Sequence, residues 1–184
     1  MRHLKQEELE AGLDKILGSP KDKGVLNLIV RRPETDAREV VNEGRLDPEF
    51  GLQGDNWLTR GSRATPDGSA HPEMQLNIMN SRVVALVAQD PQRWALAGDQ
   101  LFIDMDLSPV NLPPGTKLSI GSAIIEVTPP PHTGCKKFVA RFGLDAMKFV
   151  NSGIGKKLNL RGINARVVRA GIIVKNDIAE KLID

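Results

Sequence analysis

Residues 112–138 read LPPGTKLSIGSAIIEVTPPPHTGCKKF. In this stretch TKLSIGSAIIEVT (116–128) predicts two short strands joined at Ile120-Gly121, because apolar and polar residues alternate on either side of a turn-forming glycine. Pro129-Pro130-Pro131 closes the second strand, since proline offers no N–H to a ladder. Directly after the prolines comes Cys135, the only cysteine of the chain, followed by Lys136 and Lys137.

Working outward, the texture stays that of short strands. GVLNLIVRR (24–32) is β-branched and alternating and ends at Pro33; AREVVNEGRLD (37–47) reads as another strand. EFGLQGDNWLTRGS (49–62) is dense in Gly, Asp and Asn and reads as a loop or tight crossing. MQLNIMN (74–80) alternates Met74, Leu76 and Ile78 with polar residues, DQLFIDMDLS (99–108) alternates again, and NARVVRAGIIVKND (164–177) supplies late strand. Helical spacing is confined to a few places. Leu4, Leu9, Leu13, Ile16 and Leu17 share a helix face that Gly18-Ser19-Pro20 stops. SRVVALVAQDPQRWALAG (81–98) starts on Ser81 and fits one or two short helices broken at Pro91. Two more are expected around 135–142 and 145–151, ending at Gly143 and Gly153; Ser152–Gly155 reads as a helix terminus followed by a turn. Many closely spaced strands with few, short helices predict a mostly β domain, a closed or partly open antiparallel barrel over 21–184, preceded by an N-terminal helix over 1–20.

Composition limits the function classes. The 184 residues suit a single domain. With 25 Lys+Arg against 23 Asp+Glu, the net charge of +2 gives little support for nucleic-acid binding by charge alone, and 4% aromatic content with no tyrosine argues against a base-stacking platform. The charged N-terminus has no apolar signal region and no stretch approaches a membrane span, so a cytoplasmic location is expected. The three histidines are scattered, His3 being terminal, and no Cys-x-x-Cys or His-x-x-x-His exists, so no protein-held metal site is expected.

Chemistry concentrates at Cys135. With Thr133 as N-cap, Gly134 and Cys135 would be the first two helical residues. The partial positive charge of a helix start and the charges of Lys136, Lys137 and Arg141 then favour thiolate over thiol. Phe138 and Phe142, one turn apart, would anchor this helix while the lysines stay wet. The plain alternative is a small buried hydrophobe. His132 is three residues away, and sequence does not fix its direction.

The stretch 112–138 resembles the signature of the MOSC domain, the C-terminal domain of molybdenum cofactor sulfurases: a Pro-Gly, a strand, Ile-Gly, a second strand and a cysteine just past a proline. GLQGDNW (51–57) resembles the family's Gly-x-x-Gly-Asp turn, HPEMQLNIMN (71–80) its histidine-led strand, and AGDQLFIDMDLS (97–108) its Gly-Glu-Asn-Leu element, with Asp99-Gln100 in place of Glu-Asn. The likeness runs over roughly 24–178. It implies a MOSC-type β-barrel in a stand-alone, bacterial-type member, with Cys135 as the residue that carries sulfur as a persulfide. The donor would be a separate cysteine desulfurase, which keeps its own pyridoxal phosphate. The acceptor would be molybdenum cofactor, a molybdoenzyme or a related metal-sulfur group. Whether Cys135 performs a sulfurtransferase-like reaction is left open.

A pterin cofactor's phosphate needs cationic donors. Lys136, Lys137, Arg141 and Arg63 are the candidates, with Arg60 behind them. His71, after a Gly/Ser/Pro loop and before a strand, is either a binding residue or a strand-start cap. Asp55 and Asn56 are accounted for as turn formers. A non-catalytic barrel that binds a cofactor or small anion is the alternative reading. A regulatory interaction module has only the N-terminal helix in its favour.

Overall fold

Strand β1 (Gly24–Arg31) faces two cores at once. Leu26 and Ile29 point into a core within the barrel, whereas Leu28 and Val30 point outward against helices. A register shift against the neighbouring strand between Leu26 and Leu28 inserts the extra residue that this switch of faces requires. In the computed structural model, which describes residues 2–182, β1 is followed by β2 (Glu39–Val41), β3 (Glu43–Asp47), β4 (Gly51–Leu52), β5 (Leu76–Asn80) and β6 (Leu101–Asp104). The later strands are β7 (Lys117–Ile120), β8 (Ala123–Val127), β9 (Ile163–Arg169), β10 (Gly171–Val174) and β11 (Ile178–Lys181).

The main sheet runs β11-β7-β8-β9-β5-β6-β1, and a further β11–β1 pairing closes it into a seven-strand barrel, with β2 added at the edge of β1. β10, β3 and β4 form a small second sheet. The closing strand β11 is absent from the sequence reading, and 37–47 is two strands rather than one, divided at Asn42. The barrel is also not wholly antiparallel: β5 and β6 pair in parallel, Ile78 beside Leu101 and Asn80 beside Ile103. A parallel pair needs a long crossover. Residues 81–98 supply it as α4 (Ser81–Ala88) and the 3-10 helix Pro91–Ala97, broken at Pro91 as expected. Every residue of β5 is buried, because one face lines the barrel and the other is roofed by helices.

The 116–128 hairpin forms as read. Gly121 turns it with φ +55°, and a Cβ there would fall 2.3 Å from the Ile172 carbonyl oxygen, so only glycine lets the turn close against β10.

The helices share the second core. The N-terminal segment is two helices, α1 (Gln6–Ala11) and α2 (Leu13–Leu17), whose Leu9 and Ile16 pack in one cluster with Val83, Phe102 and Phe149. α3 (Trp57–Arg60) lies in the loop after β4. α5 (Lys136–Phe142), α6 (Leu144–Asn151) and α7 (Gly153–Lys157) complete the roof. Ser152 does not end in a turn: its side chain accepts from Gly155 N and caps α7. Among the described residues no helix is long and apolar enough to cross a membrane.

Candidate functional site

Cys135 is the residue before α5 rather than its second position: its backbone is extended, its side chain caps no N–H, and the helix begins at Lys136. Thr133 is therefore not the cap. The thiol is exposed, which removes the buried-hydrophobe reading. Its place is set from both sides. Asn151, on α6, clamps the preceding peptide, accepting from Gly134 N at 2.9 Å and donating to Gly134 O at 3.2 Å. Phe138 and Phe142, with ring centroids 4.9 Å apart, anchor α5 in the core as the spacing predicts.

The thiol opens onto a pocket of about 340 Å³. Arg32, Arg38, Arg60, Lys137 and Arg141 line it, against the acids Glu34 and Asp36. Trp57, Met74 and Phe138 supply apolar wall. Of the residues singled out from sequence, Cys135, Lys137, Arg141 and His71 meet here. Lys136 is exposed and does not line the pocket. Arg63 lies in a neighbouring open groove that shares Arg60, Gly61 and Ser62 with the pocket. Arg60, the weaker candidate, lines both.

His71 does cap, though not a strand: its Nδ1 accepts from Glu73 N at 3.2 Å at the head of the 3-10 helix Pro72–Met74. Its carbonyl accepts from Trp57 Nε1 at 3.2 Å, which holds the indole in the pocket wall.

The floor is a buried polar network. Arg32 donates from Nε and Nη2 to the two oxygens of Asp55, each at 2.8 Å, and from Nη1 to Asn77 and to the Gly98 carbonyl. Asp55 also accepts from the backbone N–H of Arg32 and of Trp57. Turn chemistry is thus only part of its role, which is to neutralise a buried guanidinium. Asn56 carries a buried Oδ1 with no partner among the described residues, and Arg38 a buried Nε in the same condition; both line the pocket. Burial, and then the charges of Arg141 and Arg32, pull the Arg38 guanidinium below its ordinary range.

Behind Cys135, His132 Nε2 lies 2.9 Å from Asp99 Oδ1, and Arg161 Nη1 reaches both Asp99 oxygens at 2.9 and 2.8 Å. Arg161 also covers the Phe138 ring at 5.0 Å. Burial opposes ionisation of Asp99, but Arg161 and His132 outweigh it and hold the carboxyl down at about 2. Burial, followed by the Arg161 charge, lowers His132 despite Asp99. Since Asp99 is a carboxylate, Nε2 carries the histidine proton and Nδ1 is left as an acceptor. The Asp99-Gln100 pair, where the family resemblance has Glu-Asn, is therefore sealed inside: Gln100 accepts from Asn77 N at 2.7 Å and donates to Gln75 O at 2.8 Å.

Barrel, second sheet and roofing helices together define the MOSC-type fold that the sequence resembles. In particular, the chain is similar to YuaD from Bacillus subtilis (16% identity over 86% of this chain and 94% of that one, TM-score 0.59). It is similar also to YiiM from Escherichia coli (19% identity, 87% and 70% covered, TM-score 0.54) and to YiiM from Geobacillus stearothermophilus (12% identity, 90% and 75% covered, TM-score 0.53). At these identities the likeness is one of fold. No protein-family model matches the sequence, and no curated protein does.

Proposed function

We propose that this protein is a sulfur carrier, in which Cys135 holds a persulfide at the mouth of a pocket that binds an anionic cofactor. The observation that carries this reading is an exposed thiol opening onto a cationic cleft. Loading is a thiol exchange. The Cys135 thiolate attacks the outer sulfur of a donor persulfide; the new S–S bond forms as the donor's breaks, and the donor leaves as its own thiolate. A cysteine desulfurase, with its own pyridoxal phosphate, is the donor this chemistry calls for. Delivery repeats the exchange, with a nucleophilic acceptor taking the outer sulfur and Cys135 returning to thiolate.

Molybdenum cofactor fits the donor set. Its phosphate matches Lys137 and Arg141, and its flat ring system matches the Trp57, Met74 and Phe138 wall. Arg38 Nε and Asn56 Oδ1, buried in the pocket lining and without a partner among the described residues, are a donor and an acceptor in reserve. When bound, the cofactor supplies a metal-sulfur centre able to accept sulfur; the protein binds its anionic end and presents the thiol beside it. A molybdoenzyme or the free cofactor in the cytoplasm is the acceptor on this reading.

The alternative, a barrel that only binds an anion, differs in one measurement. Incubation with a cysteine desulfurase and free cysteine, followed by intact mass, should show one added sulfur that dithiothreitol removes and Cys135→Ser abolishes. A thiol that alkylates freely yet gains no sulfur leaves the binding barrel.

A further inference from the structure

Asp36 lies on the loop between β1 and β2 with φ +65°, a left-handed conformation that aspartate tolerates better than most residues. Its Oδ1 accepts from Lys137 Nζ at 2.8 Å and from Arg141 Nη2 at 2.9 Å. The two cations are four residues apart on α5 and so share a face. Arg141 is held for this contact, because its Nη1 donates to the Leu96 carbonyl at 2.7 Å and its side chain is only 18% exposed. A third cation converges there: a Cβ on Gly98 would lie 3.3 Å from Arg38 Nη2 and 3.8 Å from Arg141 Nη1.

We infer that Arg38, Lys137 and Arg141 form an oxyanion subsite for a phosphate-type group, and that the Asp36 carboxylate occupies it in the free protein until a ligand displaces it. The inference rests on reading the pocket as an anion site and does not depend on sulfur transfer at Cys135.

Three features favour displacement. First, one carboxylate oxygen serves two cations, while the buried Arg38 Nε has no partner among the described residues. A phosphate, with more oxygens and more charge, bridges all three better than a carboxylate does. Second, the Asp36 side chain is 56% exposed, and ion pairs in that setting are weak, so exchange is easy. Third, the other pocket acid, Glu34, has no ion pair with these cations, so the placement belongs to Asp36 rather than to acidity in general.

Titration of the 184-residue protein with inorganic phosphate, followed by calorimetry, tests the inference. Asp36→Asn should tighten phosphate about tenfold, and Asp36→Gly, which also suits the left-handed backbone, should do the same. Glu34→Gln, which removes equal charge from the same wall, should change it less than about twofold, since screened charge alone has small effects. Arg141→Ala should weaken phosphate by at least about tenfold. Equal shifts in the Asp36→Asn and Glu34→Gln variants, an unchanged affinity in Asp36→Asn, or no phosphate binding by any variant overturns the inference. Sulfur loading of Cys135 in the Asp36→Asn variant, read by intact mass, reports separately on the carrier reading.

Discussion

His132 and Asp99 are joined through Nε2 and Oδ1 at 2.9 Å, and Arg161 closes the far side of the same carboxylate. His132 lines the same pocket as Cys135, three residues before it, and the charge balance of the triplet bears on stability.

Asp99→Asn removes the counter-charge of Arg161, whose side chain is 6% exposed and whose Nε already lacks a partner among the described residues. Breaking a buried pair on one side costs about 3–5 kcal/mol. Urea unfolding should show a loss of that size. A loss below about 1 kcal/mol would mean that water or rearrangement compensates Arg161.

The same groups set the acid limit. Asp99 has its pKa lowered on folding from 3.8 to about 2, so its contribution is present above the unfolded value and is lost as pH falls toward 2. His132 also lies below its ordinary 6.5; below that pH the unfolded chain takes up a proton that the folded protein resists. Both groups act in the same direction. Stability should decline as pH drops below about 6.5 and fall again below about 4. His132→Gln should remove the upper step in a series of urea midpoints. A flat profile between pH 7 and 5 in the parent protein contradicts the partly buried, neutral histidine.

Asn151 satisfies both backbone groups of Gly134. Asn151→Ala leaves them unpaired, which costs about 1–3 kcal/mol. Because the clamp adjoins Cys135, hydrogen exchange at the Gly134 amide should speed up by more than about tenfold while exchange in β7 and β8 stays as before.

Phe142 and Cys135 are opposites in burial. Phe142→Ala empties part of the helical core and should cost about 3–5 kcal/mol. Cys135→Ser, at an exposed position, should move stability by less than about 0.5 kcal/mol while abolishing sulfur loading. A strongly destabilised Cys135→Ser protein would assign the thiol to packing after all.

Local patterns carried what the sequence made legible. The 116–128 hairpin, the break at Pro91 and the Phe138–Phe142 anchor each depend on residues within a few positions of one another, and each is found. The parallel β5–β6 pair and the closing strand β11 were missed for a different reason: strand partners are fixed by topology, and β11 is four residues with two of them exposed. In the pocket, Cys135, Lys137 and Arg141 were visible because they share one short segment. Asp36 and Arg38 come from the loop between β1 and β2, Trp57 from α3, and Arg161, which stands behind the pocket, from the turn before β9; all are far away in sequence, where nothing local distinguishes them from ordinary surface or core residues. Asp99 carried a signal in the departure from Glu-Asn, and its meaning became clear only with its partners Arg161 and His132 in place.

Closure of the ring through β1 and β11 also bears on how the chain emerges from a ribosome. Gly24 and Val25 find partners in Ala179 and Ile178, so the first strand made keeps part of one side open until more than 150 further residues have been translated. Such long-range pairing is slow to form. During synthesis, that waiting edge is where a nascent-chain chaperone would have most to protect.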